Sequence, residues 1–223
     1  MTILLMLSAM RRITEPLTAV RKGAWKGETV IGRDPTDKLL GIVGMGGIGQ
    51  AVAKRARAFG MRVQYCNRRS APVEIDGVDE ARHVELEELL RTSDIISLNL
   101  PLDSSSEHLI SAQQLAAMKD NVVIINTSRG KVIDEAALAG ALKSGKVFAA
   151  GMDVFENEPA IHPELLKSRK TVLLPHIATS TTETRRQMEA LVLENLREAV
   201  LHDRLVTQVK EQTPRIAKAQ PKL

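Results

Sequence analysis

Three polar stretches each follow an apolar run, and each offers one group suited to chemistry: Thr127-Ser128-Arg129-Gly130, Asp153-Val154-Phe155-Glu156-Asn157-Glu158-Pro159, and Pro175-His176-Ile177-Ala178-Thr179-Ser180. Arg129 carries a planar cationic fork that matches a carboxylate or polarises a carbonyl. His176 can pass a proton near neutral pH, and a carboxylate such as Glu158 beside it favours the imidazolium and orients the ring. Asp153, at a strand end, can accept from a carboxamide. Taken singly, each has a plainer reading: a structural histidine, an arginine capping a helix, a glutamate in a surface loop. Taken together beside a nicotinamide, they supply an anion clamp, a proton donor and an orienting carboxylate, the set for reducing a 2-oxo acid.

A carrier for that nicotinamide is legible upstream. Leu39-Leu40-Gly41-Ile42-Val43 reads as a buried strand, Gly44-Met45-Gly46-Gly47-Ile48-Gly49 as a glycine turn, and the Ala-rich run to about Phe59 as a helix that Gly60 stops. Gly44 allows the tight turn, Gly46 lets backbone come close to a pyrophosphate, and Gly49 lets the helix sit tight on the strand. Gly47 and Ile48 open the helix whose free N–H groups would face the anion. A glycine turn without a ligand is the alternative, and the strand before and helix after weigh against it.

The second strand, Arg62–Cys66, ends at Asn67-Arg68-Arg69-Ser70. An NAD-binding protein usually carries Asp or Glu there to take the ribose hydroxyls. A carboxylate would repel the extra phosphate of NADP, whereas Asn67 with Arg68 and Arg69 can hydrogen-bond and neutralise it. NADP(H) is therefore the preferred cofactor and NAD(H) the second candidate. The competing reading makes Arg68 and Arg69 solvated surface charges.

The remaining elements must position these groups. Apolar strands are expected at Ile95–Leu100, Val122–Asn126, Val147–Asp153 and Thr171–Leu174, and helices at Thr2–Met10, Leu86–Arg91, Ser111–Met118, Asp134–Lys143 and Thr181–His202. Strand and helix alternate, which implies an α/β fold with a doubly wound parallel sheet and ligands at the C-terminal ends of its strands. Residues 1–177 are expected to form the cofactor domain with its leading helix, and 178–207 a C-terminal helix. The stretch 208–223 reads as a disordered tail.

Composition narrows the partners. Aromatic residues are 2% of 223, so base stacking has little to work with and nucleic acid is not expected. The apolar run Thr2–Met10 is too short to span a bilayer, and its positive charges follow it instead of preceding it, so neither membrane nor leader is expected. The single cysteine, Cys66, fits a reducing, cytoplasmic setting and a small buried side chain. There is no zinc-like Cys/His spacing, and no metal is expected.

In its motifs the chain resembles the D-isomer-specific 2-hydroxyacid dehydrogenases. The resemblance lies in the glycine fingerprint with Phe59-Gly60-Met61, in Leu98-Asn99-Leu100-Pro101-Leu102, in Asn126–Gly130 with Asp134 and Leu138, in Gly151–Pro159 and in Pro175-His176-Ile177. It covers most of residues 3 to 200. It implies a Rossmann-type NAD(P)-binding domain and the catalytic trio Arg129, Glu158 and His176. Asp153 and the backbone near Leu100, Pro101 and Thr127 would contact the nicotinamide half. Asn67-Arg68-Arg69 resembles the NADP-preferring glyoxylate and hydroxypyruvate reductase branch, so the implied substrate is a small 2-oxo acid. Relatives are usually dimers built around the cofactor domain, and Gly23–Gly27 with Trp25 resembles part of that contact.

Two departures stand out. Where the family has a threonine-rich stretch, this chain reads Asp103-Ser104-Ser105-Ser106. In the family a whole substrate domain also precedes the helix that Thr2–Ile13 resembles, so most of that domain is expected to be absent here. An inactive NADP(H)-binding module, or a partner of a full-length relative, is the alternative this implies.

Overall fold

The computed structural model describes residues 1–25, 30–68 and 81–208. Two compact units divide at His176/Ile177. The first is built on a seven-stranded, wholly parallel sheet in the order β3-β2-β1-β4-β5-β6-β7. Its strands are β1 (Leu39–Val43), β2 (Arg62–Cys66), β3 (Arg82–His83), β4 (Ile95–Leu98), β5 (Val122–Asn126), β6 (Val147–Met152) and β7 (Thr171–Leu173). Its helices are α1 (Thr2–Met10), α2 (Thr14–Arg21), α3 (Gly47–Ala58), α4 (Leu86–Thr92), α5 (Ala112–Ala117), α6 (Glu135–Ser144) and α7 (Pro163–Lys167). The chain order reverses across the sheet at β1 and β4, which makes their C-terminal ends the crevice where ligands of such sheets lie.

The strands are apolar on both faces because helices cover both. Side chains alternate across the sheet, so Val123 and Ile125 of β5 join one core with Leu40, Ile42, Val52 and Ala53, while Val122 and Ile124 join the other with Leu89, Leu98, Leu138 and Leu142. Helix α1 belongs to the first core. Its Leu5, Met6, Ala9 and Met10 are fully buried, and it packs against β5 and β6. Burial of each larger side chain contributes about 1.5–3 kcal/mol, so the leading helix is an integral layer of this unit. Cys66 is buried as expected, and burial pushes its thiol up to about 12.

Element ends differ from expectation in ways with local causes. The strand expected over Ile95–Leu100 stops at Leu98, because its neighbour β1 ends opposite it at Val43 and the last ladder bond is Asn99 N–H to Val43 O, 2.8 Å. Asp134 is the cap of α6 and not its first residue, its Oδ1 accepting from Ala137 N at 2.9 Å. Helix α2, the two-residue β3 and the five-residue α7 were not expected.

The second unit is dominated by α8 (Thr182–His202), whose N-cap Thr181 accepts from Thr184 N through its hydroxyl at 3.2 Å. Residues 26–29, 69–80 and 209–223 lie outside the described residues, and with them Arg69, Gly27 and nearly all of the expected tail. No described helix is long and apolar enough to cross a membrane.

Candidate active site

The glycine loop connects β1 to α3. Gly44 has φ +96°, and a side chain there would stand 2.6 Å from Asn99 O; one on Gly49 would stand 2.2 Å from Gly44 O. The turn, the β4 loop and the start of α3 are therefore pressed together. At Gly46 and Gly47 nothing lies within 4 Å of where a Cβ would be, Ile48 is exposed, and no side chain caps α3. An open glycine rim over a helix N-terminus fits an anionic pyrophosphate.

Asn67 and Arg68 stand at the end of β2, beside this loop. The Asn67 Oδ1 accepts from Met45 N at 2.7 Å, so its carbonyl pins the glycine loop. The Arg68 Nη1 lies 2.7 Å from Asp103 Oδ2, in the segment after β4. That segment is internally tied: Asp103 N donates to Ser106 Oγ at 2.8 Å, and Ser106 Oγ donates to Pro101 O at 2.8 Å. Leu100 is half-buried and Pro101 exposed.

After β5, the fully buried Asn126 shapes the turn. Its Oδ1 accepts from Ser128 N (3.0 Å) and Ser128 Oγ (2.9 Å), and its Nδ2 donates to Arg129 O at 2.9 Å. Thr127 Oγ1 and Thr2 Oγ1 are 2.7 Å apart, tying this turn to α1. Arg129 is thus presented on extended backbone, exposed, before a single 3-10 turn at Gly130–Val132. A Cβ on Gly130 would lie 1.9 Å from the Phe155 carbonyl carbon, so the turn after β5 is seated directly on the loop after β6.

That loop carries Glu158. Its Oε1 accepts from Phe155 N at 2.9 Å and its Oε2 lies 2.8 Å from His176 Nδ1. Burial on its own would raise the Glu158 carboxyl. The His176 hydrogen bond, the Phe155 N–H and the charges of His176 and Arg129 outweigh it and hold the group below its usual range. His176 sits just past β7 in the left-handed region, φ +53°, with its N–H on Leu174 O at 3.1 Å. Such backbone is uncommon outside glycine and clusters at functional sites. Asp153 is buried at the end of β6, its N–H donating to Asn126 O at 3.0 Å.

The structure therefore brings Arg129, Glu158 and His176 together after three consecutive strands, β5, β6 and β7. Gly44, Gly46, Gly47, Ile48, Gly49, Asn67 and Arg68 gather after β1 and β2. Leu100, Pro101, Thr127 and Asp153 follow the strands between or beside them. Sequence reasoning missed Glu135, Glu156 and Asp103. Glu135 had one visible sign, an acidic residue in the first turn of the helix that Asp134 caps.

Comparison with known proteins gives the family. Residues 3–178 match the family description "D-isomer specific 2-hydroxyacid dehydrogenase, NAD binding domain". The chain is similar to 4-methyl-2-oxopentanoate reductase A of Aspergillus oryzae, 51% identical over 94% of this chain and 63% of the relative. It is also similar to the glyoxylate reductase of Thermococcus litoralis, 46% identical over 86% of this chain and 60% of that enzyme. Among solved structures, a glyoxylate reductase from Paecilomyes thermophila superposes with a TM-score of 0.91 at 54% identity, covering 95% of this chain and 64% of that one. The chain thus spans about three fifths of the length of these relatives. By its matched segment, its parallel sheet and its glycine loop, the chain belongs to the D-isomer-specific 2-hydroxyacid dehydrogenases and contains their NAD-binding domain.

Proposed function

We propose that this chain is the cofactor-binding and proton-donating part of a reductase that acts on a small 2-oxo acid such as glyoxylate or hydroxypyruvate. NADP(H) is its preferred cofactor and NAD(H) the weaker one. The loop from Gly44 to Gly49 takes the pyrophosphate, Asn67, Arg68 and Arg69 read the ribose end, and Leu100, Pro101, Thr127 and Asp153 face the nicotinamide half. The bound cofactor supplies a hydride to the carbonyl carbon of the substrate. Arg129 holds the substrate carboxylate or polarises the oxo group, and its fixed fork suits either. His176, its Nδ1 held by Glu158, delivers the proton on Nε2 to the alkoxide oxygen and regains one from solvent. The observation that carries this reading is the 2.8 Å Glu158–His176 pair, with the Arg129 charge felt at Glu158. The family membership supports it.

Residues 1–177 act in this reading as the cofactor domain, and 178–207 as a helix that packs on a substrate domain. The strongly exposed Trp25 and Ile31 support a homodimer built on the cofactor domain, which sedimentation velocity checks directly.

The test is a fluorescence titration of NADPH into the purified chain, followed in the same cuvette by glyoxylate, hydroxypyruvate and 4-methyl-2-oxopentanoate. Saturable binding with oxidation of NADPH by any of the three supports the proposal. Binding with no oxidation would reassign the chain as a nucleotide-binding module, and absence of binding would overturn both readings.

A further inference from the structure

The end of β2 lacks the carboxylate that usually takes the ribose hydroxyls, yet the fold places one beside it. Asp103 reaches that point from the segment after β4. Since β2 and β4 flank β1 in the sheet, the Arg68–Asp103 pair spans from one side of the glycine loop to the other, across the C-terminal end of β1. We propose that Asp103 is a cofactor-specificity residue that competes with a ribose 2′-phosphate for Arg68 and so narrows the preference for NADP(H) over NAD(H). This rests on the reading that Arg68 binds the 2′-phosphate.

Asp103 is held in place without Arg68. Its Oδ1 accepts from Ser105 N at 2.9 Å and Ser105 Oγ at 2.6 Å, and its own N–H is taken by Ser106 Oγ. Oδ2 is the atom presented to the guanidinium, at 2.7 Å. Those Ser105 bonds, with Arg68 a lesser contributor, hold the carboxyl below its usual range, so the group is anionic wherever a phosphate dianion is. Arg68 is three quarters exposed, and a solvated pair of this kind is weakly held. A 2′-phosphate is the stronger partner for the fork and displaces Asp103, but it must then lie beside a fixed negative charge. A ribose hydroxyl, being uncharged, meets no such penalty. The same carboxylate therefore opposes the phosphorylated cofactor and tolerates the plain one.

The test uses the full chain and isothermal titration with two probes, 2′,5′-ADP and 5′-AMP, so that no turnover is needed. Asp103→Asn keeps an oxygen for Ser105 and removes the charge. It is expected to tighten 2′,5′-ADP about three- to tenfold and to leave 5′-AMP within about twofold. Arg68→Gln is expected to weaken 2′,5′-ADP about tenfold or more and to weaken 5′-AMP far less. Unaltered or weakened 2′,5′-ADP binding in Asp103→Asn, while Arg68→Gln loses it, would overturn the role of Asp103 alone. If Arg68→Gln binds 2′,5′-ADP as the parent chain does, the phosphate reading itself fails and this inference with it.

Discussion

Glu135 and Glu156 each accept the other's backbone N–H: Glu156 N to Glu135 Oε1 at 2.8 Å and Glu135 N to Glu156 Oε1 at 2.7 Å. This reciprocal pair joins the first turn of α6 to the loop that bears Glu158. Glu135 is only 4% exposed, and its second oxygen accepts from His162 N at 3.3 Å further along the same loop. His108 Nε2 lies 3.3 Å from the same Glu156 oxygen. The loop between β6 and α7 is thus anchored at both ends by carboxylates that take no part in the proposed chemistry.

Glu135→Ala should therefore cost stability. It leaves two loop N–H groups without their acceptor, each costing about 1–3 kcal/mol if it stays buried. Thermal unfolding should show the midpoint falling by several degrees, with Glu135→Gln losing less because one acceptor oxygen remains. An unchanged midpoint in Glu135→Ala would mean that the loop does not depend on this clamp.

The glycine loop predicts a contrast between neighbours. Gly49→Ala puts a methyl against the Gly44 carbonyl oxygen, where backbone must yield, and should destabilise the fold by about 1–3 kcal/mol. Gly46→Ala adds a methyl in open space at ordinary φ and should leave stability within about 0.5 kcal/mol. It should nonetheless weaken NADPH severalfold, since that space is where the pyrophosphate approaches. Denaturant unfolding and NADPH titration on the two variants separate the effects, and equal behaviour in both assays would refute the division of roles.

The parallel sheet and six of its strands were legible because buried parallel strands announce themselves as short apolar runs closed by turn residues, as in Val122–Asn126. The Arg129, Glu158 and His176 positions were legible for the same reason: each follows such a run. What joins them was not. Glu135 and Glu156 are 21 residues apart, Arg68 and Asp103 are 35 apart, and Thr2 and Thr127 are 125 apart. Nothing local in the sequence marks either member of such a pair, whose partner is set by strand order and loop path. Helix α2 was hidden for another reason: it is only eight residues long and buries none of them, so its short apolar face, Leu17 and Val20, stays exposed and marks no core element.

Glu158 sets the sign of an acid-side dependence. A carboxyl held low in the fold stabilises above its unfolded value, about 4.3 for glutamate, and that contribution is lost as pH falls through the folded value. Glu158→Gln should therefore be less stable than the parent chain at pH values just above the ordinary glutamate range, and the gap should close as pH falls through and below that range. Unfolding midpoints measured from pH 3 to 7 on both proteins give the comparison. A gap that widens on acidification would contradict the assigned direction.

The last prediction separates the imidazole of His176 from its backbone. His176→Ala would confound the two, because alanine disfavours the left-handed conformation at φ +53°. Asparagine adopts that conformation more readily than other non-glycine residues and cannot act as a general acid near neutral pH. His176→Asn should therefore keep the backbone conformation, lower the unfolding midpoint by no more than the lost Glu158 pair explains, and bind NADPH as tightly as the parent chain, since the glycine loop and the ends of β1 and β2 are untouched. If the chain reduces a 2-oxo acid, turnover should fall about 10²- to 10⁴-fold, the usual worth of a positioned proton donor. Retained turnover in a folded, NADPH-binding His176→Asn would remove the histidine from the chemistry and leave Arg129 as the sole group acting on the carbonyl.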